Sequence, residues 1–150
     1  LIGIEPSAIL TFKDEYLKLA DDKPSAGKIA EHTYLIEEFI QQEIKLGNIT
    51  ASQFTDEAKT IKFHGHCHQK AFDVVKPIEQ ILNKIEGLEV ETIETSCCGM
   101  AGAFGYGKNT YDISMKMAGE RLFPAIKKNS KDMKIIADGT SCRCHREGQC

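Results

Sequence analysis

Residues 61–87, IKFHGHCHQKAFDVVKPIEQILNKIEG, carry the clearest indication of the fold. The short run from Ile61 to His64 is typical of a brief buried strand. Apolar residues then recur every three or four positions, which predicts an amphipathic helix that ends before Gly87. The residues on this apolar stripe are Ala71, Val74, Val75, Ile78 and Leu82. A strand followed by a helix that packs back on a sheet predicts a parallel connection.

The same alternation of strand and helix continues on both sides of this stretch. The other predicted strands are Leu1 to Glu5, Leu88 to Ile93 and Lys134 to Ala137. The other predicted helices are Ile9 to Ala20, Lys28 to Lys45 and Thr110 to Lys128, the last bent or ended early by Pro124. The sequence therefore predicts an α/β domain: a Rossmann-like parallel sheet of about four strands with flanking helices.

Length and composition limit the classes of protein that this chain can belong to. With 150 residues, 41% of them hydrophobic, one compact core and a single domain over residues 1–150 are expected. A net charge of -3 with mixed signs along the chain predicts no nucleic-acid partner. No apolar run approaches the roughly 20 residues of a membrane span. Because the chain starts at Leu1 within a predicted strand, we expect a piece of a longer protein.

Unusual residues follow each predicted strand. They are Glu5-Pro6-Ser7, then His64 to His68, then Ser96 to Gly99, and finally Gly139 to Cys142. In open parallel sheets, ligands bind outside the carboxyl ends of the strands, and these ends share one edge. A buried cysteine that only packs as a small hydrophobe would more often lie within a strand or on a helix face. The sequence therefore predicts one site at this edge.

Four cysteines at that edge suit a metal centre. Cys67, Cys97, Cys98 and Cys142 supply the four thiolates that an iron-sulfur cluster commonly requires, with Cys144 as a fifth candidate ligand and Cys150 free near the chain end. The glycines that allow the backbone to curl round such a centre are predicted to be Gly65, Gly99 and Gly102. A disulfide framework is disfavoured by the ample core and the adjacent pair Cys97-Cys98, so a reducing compartment such as the cytoplasm is expected.

Three histidines precede or flank the first cysteine. In an extended segment His64, His66 and His68 share one face and Cys67 takes the other, which disfavours a joint site unless the chain turns. Zinc is the alternative metal, although the paired C-x-x-C or H-x-x-x-H spacing of structural zinc sites is absent here. These histidines, His66 among them, are predicted to cap the strand end and to hydrogen-bond loops or cluster sulfurs. A cysteine-dependent hydrolase or thiol oxidoreductase would need a base and an orienting group that the pattern lacks.

Taken together, these stretches resemble a known family, the cysteine-rich CCG domain. The stretches that carry the resemblance are EPS (5–7), HGHCHQKA (64–71), CCGMAG (97–102), FGY (104–106) and GTSCR (139–143). Such domains occur in the iron-sulfur subunit of glycolate oxidase, in one of the subunits of heterodisulfide reductase and at the C-terminal end of FAD-linked oxidases. The chain departs from the family pattern at Cys142-x-Cys144, where the family has C-x-x-C, and at Ala8, where a cysteine is common.

The resemblance implies an electron-transfer role within a larger oxidoreductase. A 4Fe-4S cluster in this chain would relay electrons from the oxidation of a 2-hydroxy acid, such as lactate, glycolate or 2-hydroxyglutarate, to a quinone or another carrier. It implies FAD in a partner domain, ferredoxin-like partner domains, no catalytic residue in this chain, and an inactive isolated fragment. It also implies a cytoplasmic enzyme that can be peripheral at the membrane. The alternative is a zinc-binding or metal-free docking domain of the same flavoenzyme.

Overall fold

The computed structural model describes residues 1–128 and 133–147. Short helices and strands alternate along these residues. The strands are β1 (Ile2–Gly3), β2 (Tyr34–Leu35), β3 (Lys59–His64), β4 (Leu88–Thr92) and β5 (Lys134–Ala137). The α-helices are α1 (Pro6–Ile9), α2 (Glu15–Leu19), α3 (Lys23–Glu31), α4 (Ile36–Lys45), α5 (Cys67–Ala71), α6 (Lys76–Leu82), α7 (Tyr111–Glu120), α8 (Leu122–Lys127) and α9 (Thr140–Glu147). Single 3-10 turns lie at Leu10–Lys13, Ala51–Gln53 and Phe104–Tyr106.

The main sheet is parallel, and this confirms the predicted α/β class. Its strand order is β4-β3-β5, and both outer strands pair with β3 in parallel. The last four residues of β3, from Ile61 to His64, are all buried, as expected for a central strand covered on both faces. Phe63 lies opposite Thr92 of β4 and Ile136 of β5. The carboxyl ends of the three strands therefore lie side by side.

The first predicted strand does not join this sheet. Instead β1 pairs in parallel with β2, with Ile2 opposite Tyr34, so the described strands divide into sheets of three and two rather than forming one sheet of about four. The predicted helix from Lys28 to Lys45 was wrong at its centre, because β2 interrupts it. There the backbone N–H of Leu35 donates to the Glu38 carboxylate (2.8 Å), which starts α4 afresh.

Two other predicted helices are each divided into two, in both cases shortly before a proline. The crossover after β3 divides into α5 and α6, and Asp73 between them has a left-handed φ of 54°. The helix after Tyr111 stops at Glu120 and resumes as α8. Each break comes about four residues before a proline, Pro77 or Pro124. A proline ring clashes with the carbonyl four residues earlier and provides no N–H for it.

The apolar core reaches the carboxyl edge of the main sheet. One cluster of buried residues consists of Ile93, Cys98, Met100, Leu122, Ala137 and Cys142. A second, smaller cluster packs Ile9, Leu10 and Leu35 around the two-stranded sheet. Two of the predicted metal ligands are therefore core residues. Across the described ranges no helix combines the length and the apolar character of a membrane span.

Candidate metal centre

Three chain segments leave the main sheet at the same edge and carry the cysteines. Cys67 opens α5, three residues after β3 ends at His64. Cys97 and Cys98 lie in the loop that follows β4. Cys142 lies in the first turn of α9, directly after β5. Because these strands are neighbours in the sheet, residues far apart in sequence meet here.

The thiols of Cys98 and Cys142 are in contact. Their Sγ atoms are 3.4 Å apart, and the two residues are 3% and 2% exposed. The hydrogen bond between them lowers the pKa of Cys98, with a further contribution from His64, and the same contact raises the pKa of Cys142. The two contacting sulfurs thus lie in an apolar surrounding, where they share one hydrogen bond.

The other two thiols lie beside this pair. Cys67 and Cys97 are partly buried. Burial raises the pKa of Cys67, and the neighbouring thiols of Cys97 and Cys98 raise it further. The backbone N–H of Gly99 donates to the Cys97 sulfur at 3.3 Å. The structure therefore brings Cys67, Cys97, Cys98 and Cys142 together, and their role as metal ligands stays a prediction.

One half-buried ammonium, that of Lys70, lies near enough to the four thiols for each of them to influence its pKa. Lys70, on α5, donates from Nζ to the carbonyl oxygen of Thr95 and to its hydroxyl, the latter at 3.2 Å. Burial lowers the pKa of Lys70, while the thiols of Cys142, Cys67, Cys97 and Cys98 act in the opposite direction. Sequence reasoning missed this residue. Its position three residues after Cys67, on the same helical face, was the signal that could have found it.

His64 was predicted, with His66 and His68, to hydrogen-bond loops or cluster sulfurs, but it was not among the predicted site residues. One of its ring nitrogens lies within 4.8 Å of the sulfurs of Cys98 and Cys142. Its Nδ1 shares a hydrogen bond of 2.8 Å with the Thr95 hydroxyl. The buried Nε2 has no hydrogen-bond partner among the described residues. A buried polar atom without a partner is costly, so this nitrogen is suited to contact with a bound group.

The segment around His66 turns, which is the condition under which the sequence allowed histidine and cysteine side chains to share a site. β3 ends at His64, and the His66 ring caps α5 by accepting the N–H of His68 at 3.2 Å. As a result His66, Cys67 and His68 place one ligand atom each within 4.8 Å of one another. Burial lowers the pKa of His66. His66 therefore caps the start of a helix, where the sequence predicted a cap on the strand end, and its contact with a cofactor stays a prediction.

Two of the three predicted glycines, Gly65 and Gly99, lie against other parts of the protein. Gly99 has a φ of 93°, and a Cβ there would overlap the carbonyl oxygen of Ser114 on α7. Gly65 packs against Val75, whose Cγ2 would lie 3.3 Å from an added Cβ. Gly102 has a φ of 65° and open space around it. The cofactor-binding roles of Gly65, Gly99 and Gly102 stay predictions.

Gly99→Ala is expected to lower the free energy of unfolding by roughly 2–4 kcal/mol, from a left-handed φ and from overlap with α7. Urea denaturation followed by circular dichroism measures this change. Gly27→Ala is the matched control, because Gly27 lies in α3 with nothing within 4 Å of an added Cβ. There the same substitution is expected to stabilise by about 0.5–1 kcal/mol. Equal stability of the two variants would contradict the packing described for Gly99.

Glu5 holds the helix that carries Cys142. Its carboxylate accepts hydrogen bonds from the backbone N–H of Thr140 (2.8 Å) and from the Thr140 hydroxyl (2.7 Å), at the start of α9. Partial burial acts to raise the pKa of Glu5, but the hydrogen bonds from Thr140 and Ser7 outweigh it and the pKa is lowered. Sequence reasoning singled out Glu5-Pro6-Ser7 without predicting this contact across 135 residues of chain.

Glu5→Gln is expected to cost about 1 kcal/mol of stability at neutral pH, because a neutral amide caps the helix less well. Since folding lowers the Glu5 pKa, its contribution is complete above the ordinary value of 4.5 and is lost as the pH falls through the folded value. The difference in unfolding free energy between wild type and variant should therefore be constant above about pH 5.5 and shrink below about pH 4. Urea titrations across this range measure it, and a difference that persists in acid would refute the charged cap.

Two cysteines and one histidine follow Cys142: Cys144, Cys150 and His145. Cys144 is two residues further along α9, about 200° around the helix axis from Cys142. Its predicted role as a fifth ligand stays a prediction. His145 packs edge-on against Phe123, and its Nε2 lies 3.3 Å from the sulfur of Met115. Cys150, predicted to be free, lies outside the described residues.

Comparisons with known proteins relate this chain to oxidoreductases. One subunit of the anaerobic glycerol-3-phosphate dehydrogenase of Escherichia coli K12 is 29% identical over 97 residues, which cover 59% of this chain and 24% of that protein. D-2-hydroxyglutarate dehydrogenase of Haemophilus influenzae is 27% identical over 158 residues, covering 95% of this chain and 14% of that protein. Lactate utilization protein A of Bacillus cytotoxicus is 29% identical over 141 residues, covering 89% of this chain and 55% of that protein.

These relatives are all longer than the aligned region. The chain spans between about a seventh and just over half the length of each of the three. No model of a protein family matches the chain, and no solved structure does. The similarity supports an oxidoreductase-related protein at a general level and corresponds to one part of those larger proteins.

Proposed function

We infer that this chain is an electron-transfer domain that holds an iron-sulfur cluster on Cys67, Cys97, Cys98 and Cys142. The observation that carries this proposal is the convergence of four thiols from three strand ends, near the half-buried ammonium of Lys70. Iron-sulfur clusters are commonly held by four cysteine thiolates. A cluster of the 4Fe-4S type is the form we propose.

The donor set and its surroundings fit such a cluster. Cys98 and Cys142 lie in the apolar core, which keeps water from one side of the site. Cys67 and Cys97 are only partly buried, which leaves the opposite side near the protein surface. The unpartnered Nε2 of His64 and the Lys70 ammonium provide polar groups for bound sulfur. When bound, the cluster would accept and release single electrons.

The partners that we propose follow from the relatives. Two of them are named as a dehydrogenase, or as part of one, for a hydroxy acid or glycerol 3-phosphate, and the third as a lactate utilization protein. We propose that this chain receives electrons from an FAD-bearing unit that oxidises such a substrate, and that it passes them through ferredoxin-like units to a quinone or another carrier. The residues of this chain then bind and shield the cluster but do not touch the substrate. A cytoplasmic location, peripheral to the membrane through the larger enzyme, is consistent with its free cysteines.

Zinc is a second candidate, favoured by one specific observation. His64, Cys98 and Cys142 are all buried and place three ligand atoms within 4.8 Å of one another. Two thiolates and one imidazole are ligands that zinc accepts in a tetrahedral site. Under this alternative the chain is a structural or docking domain of the same oxidoreductase and transfers no electrons.

Anaerobic purification followed by metal analysis distinguishes the two candidates. Iron and acid-labile sulfide at about four each per chain, with broad visible absorbance that bleaches on reduction, are expected for the proposed cluster. A colourless protein with about one zinc per chain would support the alternative and refute electron transfer. The purification must exclude oxygen, because an exposed cluster edge is vulnerable to oxidation.

A further inference from the structure

Lys70, Thr95 and His64 form a continuous hydrogen-bonded chain beneath the thiols. Lys70 Nζ donates to the Thr95 Oγ1 at 3.2 Å, and the same Oγ1 lies 2.8 Å from His64 Nδ1. The residues come from α5, from the loop after β4 and from the end of β3. These hydrogen bonds therefore link the segments that carry Cys67, Cys97 and Cys98.

The chemistry of the three groups favours one direction for the protons. An ammonium can only donate, so Lys70 occupies an acceptor lone pair of the Thr95 hydroxyl. The second lone pair could accept from Nδ1–H, but the hydroxyl proton would then have no acceptor in the hydrogen bonds described for Thr95. Directing that proton to His64 Nδ1 as acceptor gives it a partner. In a neutral imidazole with Nδ1 accepting, the remaining proton is on Nε2. Nε2 is the ring nitrogen that has no partner among the described residues.

Sulfur is an acceptor within reach of the His64 ring. A ring nitrogen of His64 lies within 4.8 Å of the Cys98 and Cys142 sulfurs, and Nδ1 is already engaged by Thr95. Hydrogen bonds to cluster sulfurs are among the factors that set the reduction potential of such centres. A nearby positive charge likewise favours the reduced state, which carries one more negative charge.

We propose that the Lys70-Thr95-His64 chain directs the Nε2–H of His64 toward the Cys98 sulfur and raises the reduction potential of the centre that the four cysteines hold. This inference rests on the proposed electron-transfer function. His64 and Lys70 are then positioning residues: they tune the centre without being its ligands.

The test is a set of single substitutions with midpoint potential and iron content as separate readouts. Thr95→Val keeps the size of the side chain but cuts the link, and Lys70→Met removes the cation. Each is expected to leave the iron content unchanged and to lower the equilibrium constant for reduction about tenfold, which is about 59 mV for a one-electron couple. His64→Leu should likewise leave the iron content unchanged and lower the reduction potential. His64→Gln, which retains an N–H donor, should keep a reduction potential close to that of the wild type.

Lys76→Met is the matched control for charge. Lys76 is an exposed lysine that pairs with Asp73 at 3.7 Å, so its loss should shift the equilibrium constant less than about twofold. Full iron with an unchanged potential in both Thr95→Val and Lys70→Met would overturn the inference and leave the proposed function intact. Loss of iron in His64→Leu alone would make His64 a ligand and would also overturn it.

A measurement on the wild-type chain gives an independent readout without any variant. After anaerobic removal of metal, with circular dichroism as the check on folding, long-range ¹⁵N–¹H spectra of the histidines report which ring nitrogen carries the proton. The proposal expects the Nε2–H form for His64. The Nδ1–H form would overturn it. If the purified wild type contains no iron, the proposed function fails and the role in setting a potential fails with it, whatever the tautomer.

Discussion

Cys98→Ser is expected to reduce the iron bound per chain by on the order of tenfold or more. Cys98 is 3% exposed and in contact with the Cys142 sulfur, so it lies at the centre of the four thiols. Serine has nearly the same shape, but its hydroxyl is a hard donor that is hardly ionised at neutral pH. The substitution therefore removes a soft ligand while largely preserving the packing. Iron and sulfide analysis of anaerobically purified protein, together with the visible spectrum, measures the loss.

Cys144→Ser is the matched control for this prediction. Cys144 lies on the same helix as Cys142 but about 200° around its axis, so we expect the variant to retain its iron. Loss of iron in Cys144→Ser would instead show a fifth ligand. If Cys98→Ser retained full iron, the proposed site would be wrong. In a complete enzyme, Cys98→Ser should still permit reduction of the flavin by substrate, while reduction of the final acceptor fails.

Phe63→Ala is expected to lower the free energy of unfolding by about 3–5 kcal/mol. Phe63 is fully buried near the carboxyl end of β3, the central strand between β4 and β5, and its ring is among the largest side chains of the core. Alanine would leave a cavity that the paired strands on both sides cannot close. Since a domain of this size is stable by only about 5–15 kcal/mol, the variant should unfold at much lower urea concentration.

Leu46→Ala is the control for this loss of apolar volume. Leu46 follows α4 and is 72% exposed, so its truncation should change stability by less than about 0.5 kcal/mol. A small effect of Phe63→Ala, comparable with that of Leu46→Ala, would contradict the burial of β3. Packing at the carboxyl edge of the main sheet, where the cysteines lie, should also weaken in Phe63→Ala, because His64 and Cys67 follow directly from this strand.

Strand positions were the part of the fold that the sequence predicted best. The range Lys134 to Ala137 was predicted to the residue, and Ile61 to His64 was short by two residues at its start. Brief runs rich in aliphatic and β-branched residues between helical patterns are an unambiguous local signal. Two helices were predicted too long, because an amphipathic pattern continues through a break: β2 interrupts Lys28 to Lys45, and the helix after β3 divides about four residues before Pro77. The break before Pro124 was predicted. β2 was missed because its backbone pairs with β1, a partner that is 32 residues away.

Local patterns in the chain are enough to show that the cysteines follow strands. Because parallel strands all end in the same direction, these patterns also place the cysteines at one edge of the sheet. Which side chains meet at that edge depends on the folded molecule. Contact between Cys98 and Cys142 spans 44 residues, the Lys70 to Thr95 hydrogen bonds span 25, and the Glu5 cap spans 135. These contacts depend on the strand order β4-β3-β5 and on where each loop turns. Strand order is set by packing between distant segments, and no local periodicity encodes it.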